Sequence, residues 1–413
     1  MLRVGVDALS VERMATAVRR SGERFLSRSF TADELAYCQG RPERLAGRWA
    51  AKEAVIKCFD RTPICFPRGR IEVLSRPSGA PIVRLLGDDT RQAVVQVSIT
   101  HHSGVAVATA FLEMPDPAEP PLPLPADVVM PPRPGSAHKG TFGSVVAIAG
   151  SLGFTGAAYL CANAAARSGA GTVRLLVAEG IYSILATKCV EVMATPLREV
   201  TRGALGPSAL EAVKGYLEKA SCCLLGPGLG QAGATWQLVQ RLVPMVACPL
   251  VVDADGLNAL AANKRVLGRL GSDRVLTPHP GEMSRLTGRS IAEVERDRRG
   301  IAAAAAREWG AVVVLKGAHT VVAGPSGELS EDPHEVPALA TGGTGDVLGG
   351  VIAGLLAQGL DAYRAAVTGV YVHAEAGRRL SERLGPSGLL ASDLLPELPL
   401  VMKSLREEVS PAH

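Results

Sequence analysis

Ala340-Thr341-Gly342-Gly343-Thr344-Gly345-Asp346-Val347-Leu348 sets a glycine-rich turn directly ahead of an apolar run that continues to Gln358. The spacing predicts a helix over 347–358 with a carboxylate in its first turn. Amide N–H groups at a helix start lack intrahelical acceptors and lie at the positive end of the helix dipole, so this end suits an anion. A bound phosphate would repel Asp346. A cation beside it, or a proton for it to accept, reconciles the two, and both belong to phosphoryl transfer. The plainer alternative is a glycine turn before an ordinary helix whose Asp complements the dipole. The glycines and threonines crowding one acid exceed what such a turn requires.

Working outward, apolar runs of strand length alternate with helical stretches. They fall at Ser144–Ala149, Val173–Val177, Cys222–Leu225, Leu250–Val252, Val275–Thr277 and Ala311–Leu315. This rhythm predicts an α/β part with a mostly parallel sheet covered by helices on both faces. Ligands then belong at the carboxyl ends of the strands. The motif-bearing segments follow those strands: Gly153-Phe-Thr-Gly-Ala-Ala158, Gly226-Pro-Gly-Leu-Gly230, Asp253-Ala-Asp-Gly-Leu-Asn258, Thr277-Pro-His-Pro-Gly-Glu282 and Leu315-Lys-Gly-Ala-His-Thr320. The spacing Gly150, Gly153, Gly156 is not G-x-G-x-x-G, which argues against a Rossmann site. Asp253 and Asp255 read better as helix caps than as magnesium ligands. His279, stiffened between two prolines, reads as a ligand contact, and His373 and Glu375 as helix packing.

Nine of the 28 prolines lie between Pro115 and Pro134. Such density supports neither a helix nor a sheet ladder and predicts an extended spacer. The expected organisation is a first domain over 1–114, a proline-rich linker over 115–130, a second domain over 131–400 and a frayed tail over 401–413. The first part reads as α+β. A strand Leu2–Val6 ends in Asp7, a helix starts after a Ser10 cap, and a second helix covers Glu43–Cys58. Strands Ile71–Leu74 and Ile82–Leu86 precede a hairpin of Ala93–Thr100 and Val105–Leu112 around His-His-Ser-Gly. Trp49, Glu53 and Lys57 share one helical face, with Glu53 and Lys57 spaced for an ion pair. Arg13, Arg20 and Arg24 share a stripe if the first helix reaches that far.

Composition bounds the rest. Charged residues make up 20% and apolar ones 47% of 413, which predicts globular domains. A formal net charge of +4 is too small and dispersed to argue for nucleic acid. No run of about 18 apolar residues suggests a membrane span, and no leader pattern is visible. Eight cysteines without a CxxC pair read as reduced, mostly buried thiols of a cytoplasmic protein.

The first part resembles the holo-acyl-carrier-protein synthase family. The matching residues are Val4-Gly-Val-Asp7 with Glu12-Arg13, Arg24-Phe-Leu-Ser-Arg-Ser-Phe-Thr31, Glu34-Leu-Ala-Tyr-Cys38, Ala46-Gly-Arg-Trp-Ala-Ala-Lys-Glu-Ala54 and Val97-Ser-Ile-Thr-His101. The resemblance implies transfer of 4′-phosphopantetheine from coenzyme A to a serine of an apo-acyl-carrier protein. It implies Mg²⁺ at Asp7 and Glu53, with Glu53 at the reacting centre, and coenzyme A phosphate contacts from Lys57 and His101. It further implies docking of an acidic carrier protein on Arg13, Arg20 and Arg24, and a homo-oligomer, commonly a trimer. The chain departs from the pattern at Phe59-Asp-Arg-Thr-Pro-Ile-Cys-Phe66, which lacks the usual Gly-Thr-Gly-like stretch.

The second part closely resembles the nucleotide-dependent NAD(P)H-hydrate dehydratases of the ribokinase-like superfamily. The glycine motifs above carry the likeness, with Gly388-Leu-Leu-Ala-Ser-Asp-Leu394. It implies that ADP or ATP, with Mg²⁺, drives dehydration of hydrated NADH or NADPH. Ala157, Gly228, His279 and Asp346 would then contact the hydrated cofactor. Lys316, Gly317, Ala318, His319, Thr320 and Gly345 would hold the nucleotide. Asp346 would accept the hydroxyl proton while amides of Gly343 to Gly345 face the phosphoryl oxygens. Where the family commonly has Thr-Gly-Asn-Pro before the glycine motif, this chain has Asp332-Pro-His-Glu-Val-Pro-Ala-Leu339. Two alternatives remain open at this point: a small-alcohol kinase for the second part, and a non-catalytic trimerisation or coenzyme A-binding module for the first.

Overall fold

The computed structural model describes residues 2–59, 68–76, 78–86, 94–113 and 124–409. The chain divides into two compact units, Met1–Pro121 and Leu122–His413. Ala93, Cys65, the departure at 60–66, most of the proline-rich stretch and 410–413 lie outside the described residues.

In the first unit, strands β1 (Leu2–Ser10), β4 (Val94–His102) and β5 (Val105–Glu113) form an antiparallel sheet in the order β1-β5-β4. A separate hairpin joins β2 (Ile71–Ser75) to β3 (Pro81–Leu85). Three helices accompany them: α1 (Val11–Ser29), α2 (Ala32–Cys38) and α3 (Pro42–Phe59). Ser10 caps α1 by accepting from Arg13 N–H, as its sequence position predicts. The chain leaves helical geometry at Gly22, so Arg24 does not continue the stripe of Arg13 and Arg20. The β4–β5 turn is tighter than expected. His101 and His102 finish β4, and only Ser103 and Gly104 turn the chain, both with positive φ. Two successive positive-φ residues match the right-handed twist of a hairpin.

The helix α3 packs directly on β1 because Gly5 has no side chain: a Cβ there would lie 2.0 Å from Ala54 O. Across α3, fully buried Lys52 pairs with Glu34 at 2.6 Å and donates to Ser29 O at 2.7 Å. Glu34 in turn accepts N–H groups of Thr31 and Val73, joining α2, α3 and β2 through one carboxylate.

The second unit holds a nine-stranded sheet. Its strands are β6 (Ser144–Ile148), β7 (Thr172–Ala178), β8 (Met193–Leu197), β11 (Cys222–Leu225), β12 (Leu250–Val252), β13 (Arg274–Leu276), β14 (Val312–Leu315), β15 (Val321–Ala323) and β16 (Leu329–Glu331). The order is β16-β15-β14-β13-β12-β11-β6-β7-β8. A small separate hairpin pairs β9 (Glu199–Thr201) with β10 (Ala204–Leu205). Pairing is parallel from β8 to β14 and antiparallel at β15 and β16. The six strands read from the sequence are present. The unread edge strands are short or carry Pro196, which an edge tolerates. The chain winds one way from β6 and the other from β11, so the crevice beyond their carboxyl ends is the natural ligand site.

Two expectations at the ends of this unit are corrected. The spacer was expected to run to residue 130, but Val128 is buried and Val129 exchanges hydrogen bonds with Thr368 Oγ1. The tail was expected to fray from 401. Instead one helix spans Ala391–Val409 despite Pro396 and Pro399, burying Val401, Met402 and Leu405. Seven described cysteines are free thiols, six of them buried. Among the described residues no helix is long and apolar enough to cross a membrane. Gly5→Ala should destabilise the first unit by about 1–3 kcal/mol, since α3 must be displaced from β1; denaturant unfolding of the full chain checks this.

Candidate functional site

In the second unit, three strand ends converge. Asp253 follows β12, Thr277 and His279 follow β13, and Lys316 follows β14. Lys316 Nζ donates to Asp253 Oδ1 at 2.7 Å and stands 3.8 Å from Glu282 Oε2. Thr277 Oγ1 donates to the same Asp253 oxygen at 2.7 Å. Burial works against the lysine's charge, but Asp253 and Glu282 outweigh it and hold Lys316 above its ordinary pKa. Burial raises Glu282 in the opposite sense, towards protonation.

The expected capping role of Asp253 and Asp255 does not hold, because Ala254 is the cap residue and makes no side-chain cap bond. Asp253 binds Lys316 and Thr277 instead. Asp255 accepts Gly230 N–H at 2.8 Å, tying the glycine loop after β11 to the strand end of β12. Asp253 Oδ2 is buried without a hydrogen-bond partner among the described residues. It faces the glycine-motif helix, since a Cβ at Gly349 would lie 3.4 Å from it.

That helix spans Thr344–Ala357, three residues earlier than the sequence suggests, with Gly343 as its cap at φ 95°. Thr344 N–H turns back weakly onto Thr341 O at 3.4 Å. The first-turn amides that follow, Gly345 and Asp346, have no intrahelical acceptor. Gly345 lies against Lys316: a Cβ there would be 3.3 Å from its Nζ. Burial, then the Asp253 carboxylate, raises Asp346 from 3.8 to about 7. Near neutrality this carboxyl stands between acid and base.

His279 is fixed by a feature missed in the sequence. It caps the helix Pro280–Thr287, its Nδ1 accepting Gly281 and Glu282 N–H groups while Glu282 accepts its own N–H. An accepting Nδ1 leaves the proton on Nε2. Burial and the Lys316 charge lower its pKa, so the ring is a neutral donor at its half-exposed edge. Ala157 and Gly228 adjoin at the β6–β11 crevice, where a Cβ on Gly228 would press Ala157 Cβ at 2.8 Å. Phe154, to which the sequence gave no role, stands beside Gly228 with 56% of its surface exposed.

A cavity of about 310 Å³ opens next to Lys316. Gly317, Ala318, Thr320 and Gly345 line it together with Lys316, so five of the six residues expected to hold a nucleotide meet there. His319 is outside that lining and turns its Nδ1 to Asp332 O at 3.3 Å. Glu375 is not mere helix packing. It accepts from His334, Arg378 and Arg379, while neutral His373 donates to Thr344 O at 2.9 Å.

In the first unit β1 does not end at Asp7 but runs on to Ser10, so Asp7 lies within the strand, beside α3, the helix bearing Glu53 and Lys57. The expected Glu53–Lys57 pair is not the one formed. Lys57 Nζ binds Asp7 Oδ1 at 2.8 Å, and Glu53 pairs with Arg68. Both cations are about half exposed. His101 is exposed at the end of β4. Arg13, Arg20 and Arg24 are exposed as well.

The second unit's doubly wound sheet, glycine-capped helix and strand-end lysine define a protein of the ribokinase-like class. Residues 145–400 match the family model described as NAD(P)H-hydrate dehydratase, and the chain belongs to that family. Residues 3–110 match the model of the 4′-phosphopantetheinyl transferase superfamily. The bifunctional NAD(P)H-hydrate repair enzyme Nnr of Moorella thermoacetica is 48% identical over 280 residues, 68% of this chain and 53% of that protein. The ADP-dependent (S)-NAD(P)H-hydrate dehydratase of Xanthomonas campestris is 39% identical over 66% of this chain and 92% of that protein. A Bacillus subtilis ADP/ATP-dependent NAD(P)H-hydrate dehydratase, co-crystallised with ATP and Mg²⁺, superposes with a TM-score of 0.57. It is 32% identical and covers 67% of this chain and 94% of its own. This chain spans about half the length of the first curated relatives it matches.

The raised pKa of Asp346 makes a stability prediction. Between about pH 4 and about pH 7 the folded state holds a proton that the unfolded state has lost, so this group's contribution falls as pH rises. Asp346→Asn should abolish that component and unfold at a higher temperature than the wild type above about pH 7. Equal Tm-against-pH curves for the two proteins would contradict the assignment.

Proposed function

We propose that the second unit uses ADP, or ATP, to dehydrate hydrated NADH and NADPH, and that the first transfers 4′-phosphopantetheine from coenzyme A to an acyl carrier protein. The observation that carries the first reading is Asp346. It is a carboxyl poised near neutrality at a helix start whose first-turn amides adjoin the cation of Lys316.

In the second unit the hydrated ring sits in the crevice of Ala157 and Gly228, with Phe154 available to cover its flat face. His279 Nε2–H donates to an oxygen of the cofactor. The Lys316–Thr320 loop and Gly345 hold the nucleotide. Asp346 accepts the proton of the ring hydroxyl as that oxygen attacks phosphorus, and the first-turn amides and Lys316 take up charge on the phosphoryl oxygens. Phosphate, a far better leaving group than hydroxide, then leaves with the ring oxygen as the neighbouring ring carbon gives up a proton to water and the double bond reforms. A nucleotide one phosphate shorter is released alongside. Asp253 Oδ2, a buried carboxylate oxygen without a partner, fits a hard cation such as Mg²⁺. Mg²⁺ bound there with the nucleotide would neutralise phosphate charge.

In the first unit no group of three or more His, Cys, Asp or Glu gathers for a metal among the described residues. Two carboxylates still fit Mg²⁺, which commonly keeps waters and completes its shell with substrate phosphates. Asp7 and Glu53 are those carboxylates, and their present partners are surface cations, which exchange at small cost. Mg²⁺ there would neutralise charge on the coenzyme A pyrophosphate. Lys57 and His101 border the same edge for phosphate contacts, and the exposed arginines Arg13, Arg20 and Arg24 attract an acidic carrier protein. The outer face of the β1–β5–β4 sheet exposes Val4, Val6 and Phe111, with Val4 and Phe111 directly opposed. That apolar stripe supports a homo-oligomer built on the first unit, such as a trimer. A cytoplasmic location suits the reduced thiols and these substrates.

Recovery of NADH absorbance from hydrated NADH, with ADP, ATP or no nucleotide, tests the second unit. Nucleotide-dependent recovery with stoichiometric phosphate is expected, whereas accumulation of a phosphorylated small alcohol instead would overturn the reading. Asp346→Asn should lower kcat by about 10²–10⁴-fold. Wild-type kcat should fall as pH drops below about 7, where Asp346 gains its proton. For the first unit, Asp7→Ala and Glu53→Ala should each abolish Mg²⁺-dependent transfer to apo carrier protein and leave hydrate repair unchanged.

A further inference from the structure

The segment Asp332–Leu339, read from the sequence as a departure from the family pattern, holds a buried charged cluster that the mechanism above does not use. His334 is 3% exposed. Its Nδ1 lies 3.0 Å from Asp332 Oδ1, and its Nε2 lies 3.2 Å from Glu375 Oε2 on the helix Ala362–Leu384. An imidazole with a carboxylate at each nitrogen donates from both and carries a positive charge. Burial opposes that charge, but the two carboxylates prevail and push His334 up to about 9. Glu375 is braced in turn by Arg378 Nη2 and Arg379 Nε, each at 2.8 Å. The Tyr371 ring meets His334 edge-on at 5.0 Å.

The consequences run along the segment. His334 O accepts His319 N–H at 3.2 Å, and Asp332 N–H donates to Thr320 O at 3.0 Å, so the clasp also holds the Lys316–Thr320 loop. Farther on, Leu339 is pressed onto Gly377 of the same helix, where a Cβ would meet it at 2.7 Å. Leu339 O and Thr341 O both accept from Thr344 Oγ1, which connects the segment to the start of the glycine-motif helix. Val336, Pro337 and Ala340 form the apolar part of the wall of the cavity beside Lys316, which Asp332, His334 and Glu335 border as well. Nothing else in the segment is charged and buried.

We propose that His334 is a positioning residue for the nucleotide: clasped between Asp332 and Glu375, it fixes the apolar cavity wall and the Lys316–Thr320 loop against the helix Ala362–Leu384. The wall then accepts the base and ribose of the nucleotide in a preformed shape. This rests on reading that cavity as the nucleotide site. His334 acts through the wall and the loop and takes no part at the reacting atoms.

The test is direct ADP binding by calorimetry with Mg²⁺, alongside steady-state kinetics on hydrated NADH, for wild type, His334→Gln, Glu375→Gln and the double variant. Each single variant should raise the nucleotide Kd and KM by about tenfold, the equivalent of one charge-assisted hydrogen bond. Saturating kcat and the KM for hydrated NADH should stay within about twofold. The double variant should be little worse than either single one, since both remove the same clasp. Equal ADP affinity in wild type and variants, or a loss in kcat without a change in nucleotide KM, would overturn the proposal. Failure of the wild type to bind ADP at all would instead overturn the nucleotide reading of the cavity. If His334→Gln does not fold, Glu375→Gln decides the matter alone, since it keeps the side chain's shape and an oxygen for Arg378 Nη2 and Arg379 Nε while replacing the oxygen that faces His334.

Discussion

The second unit depends on one ion pair, Lys316 with Asp253, set between the ends of β14 and β12. Neither charge is well hydrated, with 1% of the Asp253 side chain and 18% of the Lys316 side chain exposed. Removing either partner would strand the other, a loss of about 3–5 kcal/mol at a buried site. The pair therefore fixes strand-end geometry. Burial raises the Asp346 carboxyl most, the Asp253 carboxylate adds to the rise, and Lys316 opposes it. The carboxyl proposed as the base thus stands near physiological pH beside a structural ion pair that does not itself need to react.

The first unit is built on the same theme with different parts. Its fully buried pair, Lys52 with Glu34, holds α2, α3 and β2 together, while its candidate metal ligands sit at the rim and carry exchangeable cations. Each unit thus separates a permanent internal charge pair from nearby carboxylates left available for a ligand. Gly5 sets the spacing in the first unit by letting α3 touch the strand that carries Asp7. The Lys316–Asp253 pair sets it in the second.

Much of this was legible in the sequence, for identifiable reasons. Long or fully apolar strands such as Cys222–Leu225 announce themselves because both faces are buried. Edge strands such as Met193–Leu197 and Leu329–Glu331 do not, since one side meets solvent and their composition is that of a loop. The glycine motif placed Asp346 correctly because glycine is needed where a chain turns with positive φ. What sequence spacing could not supply was partnership across the fold. Asp253 and Asp255 sit where caps sit, and only the approach of β14 shows that Lys316 claims the first and Gly230 the second. His279 carries the reverse lesson: proline on either side suggested rigidity, while the actual restraint is its own ring accepting two amides. Glu375 looked like one more helical carboxylate until His334, 41 residues away, was brought against it.

The cysteines of the central sheet have a further use. Cys222 and Cys223 lie in β11, and Cys161 lies in the helix Thr155–Arg167. All three are buried, and burial holds their thiols well above the ordinary pKa. Thiolate is the reactive form, so an alkylating reagent can consume them only when the sheet opens to water. These side chains are thus a native clock for opening of the second unit. Their labelling rate would report how often that unit breathes, with or without nucleotide, and without any foreign probe in the protein.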